Sequence, residues 1–240
     1  AVITVSGLMN AAYIKGRPIS SLKVVVNGAG AAGIRISDMC KAAGVQDLTL
    51  CDSKGTIRDD RTDLNDHKRR HAVKTTAKTL AEAVRGADVF IGVSAPNVLT
   101  GEEVAQMAEC PAIFAMANPD PEITPEAVAA AMNGKPYIMA TGRSDYPNQI
   151  NNVLGFPYLF RGALDAKART INTEMKVAAA EALAALAREP VTDEVKELAG
   201  RPDLAFGHEY IIPNPFDSRL IACVPAAVRD AAIRTGVIRK

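Results

Sequence analysis

The segment Val24-Val25-Val26-Asn27-Gly28-Ala29-Gly30-Ala31-Ala32-Gly33 is an apolar run that breaks into three glycines spaced G-x-G-x-x-G. Such a segment constrains the chain to turn sharply from a buried strand into a helix. Gly28 permits the tight turn, Gly30 lets backbone come close to a phosphate, and Gly33 lets the helix pack closely on the strand. The helix start then offers free N–H donors and the positive end of its dipole to an anion. Ala29, Ala31 and Ala32 belong to the same turn. Asp52 closes a second apolar run, Leu48 to Cys51, where a carboxylate meets the adenosine ribose hydroxyls of a dinucleotide. Strand, helix start and carboxylate together predict nucleotide binding.

The remaining sequence repeats the alternation of short apolar strands with helices. A lead-in helix runs over Ile3 to Tyr13 and ends near Gly16-Arg17-Pro18. Strands are expected at 22–27, 48–51, 88–93, 112–116 and 137–140, with helices at 31–43, 80–84, 101–108 and 124–134. Residues 52–78 form a polar stretch with little periodicity. Beyond about residue 150 the chain turns helical, with helices expected at 151–168, 173–187 and 222–235 and loops from Pro190 to Pro215. The pattern predicts an α/β fold: a doubly wound, mostly parallel, Rossmann-like sheet with a helical C-terminal segment. In such sheets ligands bind beyond the C-terminal strand ends, so the loops at Gly28, Asp52, Ser94, Asn118 and Gly142 should converge. Ser94 and Asn118 join the candidate cofactor residues on that ground.

A net charge of +1 gives no electrostatic case for nucleic acid or an anionic membrane, and no apolar run is long enough to span a bilayer. Cys40, Cys51, Cys110 and Cys223 form no C-x-x-C pair, and with His67, His71 and His208 they complete no zinc spacing. Reduced thiols in a cytoplasmic protein are the expectation. The opening Ala1-Val2-Ile3-Thr4-Val5 lacks a basic leader and already lies in a periodic segment, as expected of a piece of something longer.

Few residues offer catalysis. Asn118 follows a buried strand and carries both a donor and an acceptor, suited to a ribose hydroxyl or a carboxylate; an ordinary Asn-Pro turn is the plainer account. Asn148-Gln149-Ile150-Asn151-Asn152 gathers four amides, more than a helix cap uses. His67-Lys68-Arg69-Arg70-His71 lies where an adenosine 2′-phosphate would sit, or is a solvated helix face. Asp52 opposes the phosphate, so NAD is expected over NADP, with use of both open. Asp59, Asp60 and Asp63 read as surface-loop carboxylates, and Asp145 has no acidic partner. No general base and no metal-ligand set is apparent.

Several segments together resemble the bacterial malic enzymes. They are 26–33, Cys51-Asp52-Ser53-Lys54-Gly55, 87–94, Phe114-Ala115-Met116-Ala117-Asn118-Pro119, Ala140-Thr141-Gly142-Arg143-Ser144-Asp145, 148–153, Phe160-Arg161-Gly162-Ala163-Leu164-Asp165 and Tyr210-Ile211-Ile212-Pro213. The resemblance is collinear through essentially the whole chain. It implies that residues 1–240 form the C-terminal, NAD(P)-binding domain of an enzyme that oxidises L-malate and decarboxylates it to pyruvate with Mg²⁺ or Mn²⁺. It implies the cofactor on the glycine turn, Asp52 on the ribose, and Asn118 and Asn152 at the malate and nicotinamide end. The family's catalytic Tyr and Lys and its acidic metal ligands precede the matching segment, so no catalytic residue or metal ligand is expected here. The chain alone is expected to be inactive, and the full-length enzyme a homodimer. The alternatives are an amino-acid or methylene-tetrahydrofolate dehydrogenase domain, or a non-catalytic nucleotide-sensing module.

Overall fold

Side-chain alternation along the first strand sets the layering. In β1 (Lys23–Asn27), Val24 and Val26 enter one core and Val25 the opposite one, all fully buried. A strand apolar at consecutive positions must be covered on both faces. The computed structural model describes residues 1–239 and covers it in that way. The remaining strands are β2 (Asp47–Asp52), β3 (Gly55–Thr56), β4 (Val89–Gly92), β5 (Ala112–Ala115) and β6 (Ile138–Thr141). They form one six-stranded sheet in the order β3-β2-β1-β4-β5-β6.

Every pairing is parallel except that of the two-residue edge strand β3, which runs antiparallel to β2. The chain leaves β1 toward β2 on one side and returns to pair β4 on the other. That reversal opens a crevice at the C-terminal ends of β1 and β4, the usual ligand position in doubly wound sheets.

One face is covered by α1 (Val2–Ile14), α2 (Ala31–Ala42) and α8 (Thr173–Arg188), whose Leu8, Ile36 and Leu183 join the Val24–Val26 core. The other carries α4 (Leu80–Val84), α5 (Gly101–Ala105) and α6 (Pro125–Met132), with Val84, Val104 and Val128 beside Val25, Phe90 and Ile113. The C-terminal helices α7 (Phe156–Asp165) and α10 (Leu220–Arg234) add Ala163, Val224 and Val228 to the first core. The expected α/β fold is therefore present, with the helical segment packed into one core of the sheet.

Local differences have local causes. The polar stretch after β2 holds β3 and a short α3 (Asp66–Arg69), started by Asn65 accepting from the Lys68 N–H at 2.9 Å. The helix expected over 151–168 is divided into a 3-10 turn at Asn152–Leu154 and α7, which has Pro157 in its first turn. The loop expected after Pro190 contains α9 (Asp193–Leu198), capped by the Thr192 hydroxyl. Among the described residues, no helix is long and apolar enough to cross a membrane.

Candidate functional site

A cavity of about 520 Å³ lies over the C-terminal ends of β1, β2 and β4, lined by Asn27, Gly28, Asp52, Lys54, Thr79 and Ser94 among others. Gly28 makes its floor by turning with φ +117°, and a Cβ there would come within 2.5 Å of the Val93 carbonyl oxygen. Gly33 packs so closely on this turn that a Cβ would overlap the Gly28 carbonyl oxygen. Gly30 differs. It is exposed at the N-cap of α2, and a Cβ built on it would meet no atom within 4 Å.

Ala31 and Ala32 are exposed in the first helical turn, whose N–H groups have no intrahelical acceptor. Ala29 is buried, so it can face a ligand only through its backbone. This open space before a helix start, with orphan donors directed into it, fits the pyrophosphate of a dinucleotide.

Asp52 ends β2 beside the cavity, and its carboxylate is already engaged. Arg61 donates to both oxygens, at 2.9 and 3.1 Å; Lys68 donates to Oδ2 at 2.7 Å and the Lys54 N–H to Oδ1 at 3.0 Å. Burial works to raise the Asp52 pKa, but the hydrogen bonds from Arg61, Lys68 and the Lys54 backbone prevail and hold it at about 2. Its charge is thus answered before any ligand arrives. Asp63 accepts from Arg61 and from Lys54, at 2.9 and 2.8 Å. Three cations here face two carboxylates, leaving a local excess of positive charge.

The basic run 67–71 does not act as one patch. Only Lys68 reaches Asp52; Arg69 donates to the Leu64 carbonyl, while Arg70 and the buried His71 turn to Asp38 on α2, at 3.3 and 3.1 Å. Arg61, which sequence reasoning passed over among Asp59, Asp60 and Asp63, takes the central place. Lys54 and Thr79 were also missed. Thr79 was discoverable, since its spacing to Glu82 is the capping-box pattern that starts α4. Asp60 pairs with Arg58, and Asp145 with Arg143. Among the described residues, no three His, Cys, Asp or Glu side chains group so as to hold a metal ion.

Ser94, after β4, accepts from the Asn27 side chain at 2.8 Å and is thereby tied to the glycine turn. Asn118 lies exposed beyond β5, in the loop after Ala117. The amide run divides by role. Asn148 is buried and structural, donating to the Met139 and His208 carbonyls and accepting from the Ile211 N–H. Asn151 caps the 3-10 turn by accepting from Val153. Asn152 is exposed and lines a separate cavity of about 570 Å³ with Val2, Ile3, Arg35 and Phe156 among others. Asn152 and the Gly28 cavity therefore border different openings.

A family model described as "Malic enzyme, NAD binding domain" matches residues 1–198. An NADP-dependent malic enzyme of Rhizobium meliloti is 55% identical over 243 residues, covering 100% of this chain and 32% of that protein. An NAD-dependent malic enzyme of Geobacillus stearothermophilus is 47% identical, covering 100% of this chain and 47% of that protein. The crystal structure of malic enzyme from Pyrococcus horikoshii superposes with a TM-score of 0.85 at 35% identity, covering 100% of this chain and 54% of that one. The chain thus spans between about a third and about half the length of these relatives.

Proposed function

The chain belongs to the malic enzyme family as its NAD-binding domain, and from that premise we propose that it holds the nicotinamide dinucleotide for oxidative decarboxylation of L-malate to pyruvate and CO2. The bound nicotinamide would supply the hydride acceptor. Residues 1–240 are read as one nucleotide-binding domain, inactive toward malate on its own. The match to malic enzymes supports malate over the amino-acid and methylene-tetrahydrofolate substrates weighed from the sequence. The observation that carries the reading is the open space at Gly30 before α2, set against the occupied space at Gly28 and Gly33.

In this reading the N–H groups of Gly30, Ala31 and Ala32 bind the pyrophosphate, and Ser94 and Asn118 border the nicotinamide half. Asn118 and Asn152 are the substrate-side amides. Lys54, Arg61 and Lys68 around Asp52 favour a 2′-phosphorylated ribose, and several of the similar enzymes are named NADP-dependent. NADP is therefore proposed as the preferred cofactor, in place of the NAD expected from repulsion between Asp52 and a 2′-phosphate. The acid–base groups and the Mg²⁺ or Mn²⁺ ligands are assigned to none of these residues. A cytoplasmic, homodimeric full-length enzyme completes the reading; the four cysteines are free thiols.

Calorimetric titration of the chain with NAD and NADP tests it. Both should bind, NADP the more tightly, and L-malate should not be turned over by the chain alone. Binding of neither nucleotide would overturn the site. Tighter NAD would overturn the phosphate assignment.

A further inference from the structure

Glu122 is fully buried, and its carboxylate joins the two loops that leave the ends of β4 and β5. Oε1 accepts the Ser94 N–H at 2.8 Å and Oε2 the Ala117 N–H at 2.9 Å. These donors stand just beyond the C-terminal ends of the adjacent parallel strands β4 and β5; Ser94 is itself assigned to the nicotinamide half of the site, and Ala117 precedes Asn118, the other residue so assigned. The same segment holds the first loop again by its backbone: the Glu122 carbonyl accepts from Leu99 and the Pro121 carbonyl from Asn97, at 3.1 and 3.2 Å. Room for the carboxyl is made at Gly92, the last residue of β4, where any Cβ would overlap it. Ser94 in turn accepts from Asn27, beside the glycine turn.

A carboxylate suits this bridge because both of its oxygens accept, and two backbone N–H groups face it from different loops. A glutamine would present an amide N–H₂ to one of them and leave a buried donor without a partner. The two hydrogen bonds of Glu122 offset the cost of burying its carboxylate. The shared consequence of its bonds is the spacing of Ser94 from the Asn118 loop.

We infer that Glu122 is a positioning residue: it fixes the Ser94 loop against the Asn118 loop, and so sets the nicotinamide half of the site in register with the pyrophosphate half. The inference rests on the nucleotide site proposed above. It requires no contact between Glu122 and the ligand, and it leaves the adenosine side, around Asp52 and Lys54, outside its influence.

The test compares NADPH with the fragment 2′-phospho-AMP, which lacks the nicotinamide half, in the 240-residue chain and its Glu122→Gln variant. NADPH should bind about tenfold more weakly to the variant, a factor corresponding to ~1.4 kcal/mol, while the fragment binds as it does to the parent chain. Gly92→Ala, which displaces the carboxyl without changing it, should give the same split if Glu122→Gln fails to fold. Equal losses for both ligands would make Glu122 merely structural, and unchanged NADPH affinity would remove its role altogether. Failure of the parent chain to bind either ligand would overturn the site reading itself, and the positioning role with it.

Discussion

Arg61 grips Asp52 with two hydrogen bonds, of 2.9 and 3.1 Å; both side chains are nearly buried, and Asp52 lines the cavity. A paired fork of this kind fixes the carboxylate's plane as well as its charge. Arg61→Ala would leave Asp52 held by Lys68 and the Lys54 N–H alone, with less of its charge answered. NADP affinity should fall by about tenfold or more, the scale of one lost charge-assisted contact, while NAD loses less. An unchanged ratio of the two dissociation constants would place the ribose elsewhere.

Lys68 and Arg69 are neighbours in sequence with different surroundings. Lys68→Ala should weaken NADP by about tenfold and lower the salt dependence of its binding. Arg69→Ala should leave nucleotide affinity unchanged, because its guanidinium serves the Leu64 carbonyl. Titration at two ionic strengths reads both effects.

The sheet was legible in the sequence because β1, β4 and β5 are short apolar runs buried on both faces, and the glycine spacing placed the turn within them. The surroundings of Asp52 were not legible. Arg61 meets it only because the chain folds back after β3, and Lys68 arrives on α3; nothing in local periodicity encodes that return. Glu122 was invisible for a similar reason: its partners lie on two other loops, and its own segment reads as the lead into a helix. The amide run was only partly legible, because four similar side chains do different work, Asn148 inside the core and Asn152 at its surface.

Gly33→Ala should destabilise the fold by about 2–3 kcal/mol, the cost of overpacking against a backbone that cannot yield. Gly30→Val has backbone angles any residue adopts, φ −85° and ψ −170°, and should change stability by no more than about 1 kcal/mol. Its side chain would nevertheless fill the pyrophosphate space and abolish nucleotide binding. Urea midpoints and a nucleotide titration on the same samples separate the two outcomes.

Acid should reveal the Asp52 cluster. Its carboxyl is held at about 2 in the folded chain against an ordinary value of 3.8. A carboxyl depressed on folding contributes stability that is complete above its unfolded value and is lost as pH falls through its folded one. Asp52→Asn should therefore cost about 1–2 kcal/mol at neutral pH, after allowing for solvent screening. The difference from the parent should shrink below pH ~4 and vanish only below pH ~2. A gap that stays constant across that range would mean the loss is one of packing.

Burial pushes the Cys40 and Cys51 thiols up to about 12, and the nearby Asp52 carboxylate reinforces the shift at Cys51. In native protein at mild alkaline pH, iodoacetamide should modify Cys110 and Cys223 before either of them. Early labelling of Cys51 on peptide mapping would show that the core beneath the cavity opens.

The three glycines of the turn answer to different authorities. At positions 28 and 33 the protein's own atoms forbid a side chain, whatever the turn is used for. At position 30 nothing in the protein objects. A descendant released from holding a dinucleotide would therefore keep the first and last glycines for the sake of its fold and let the middle one drift. The residue found at position 30 in such a lineage would record whether the site is still in service.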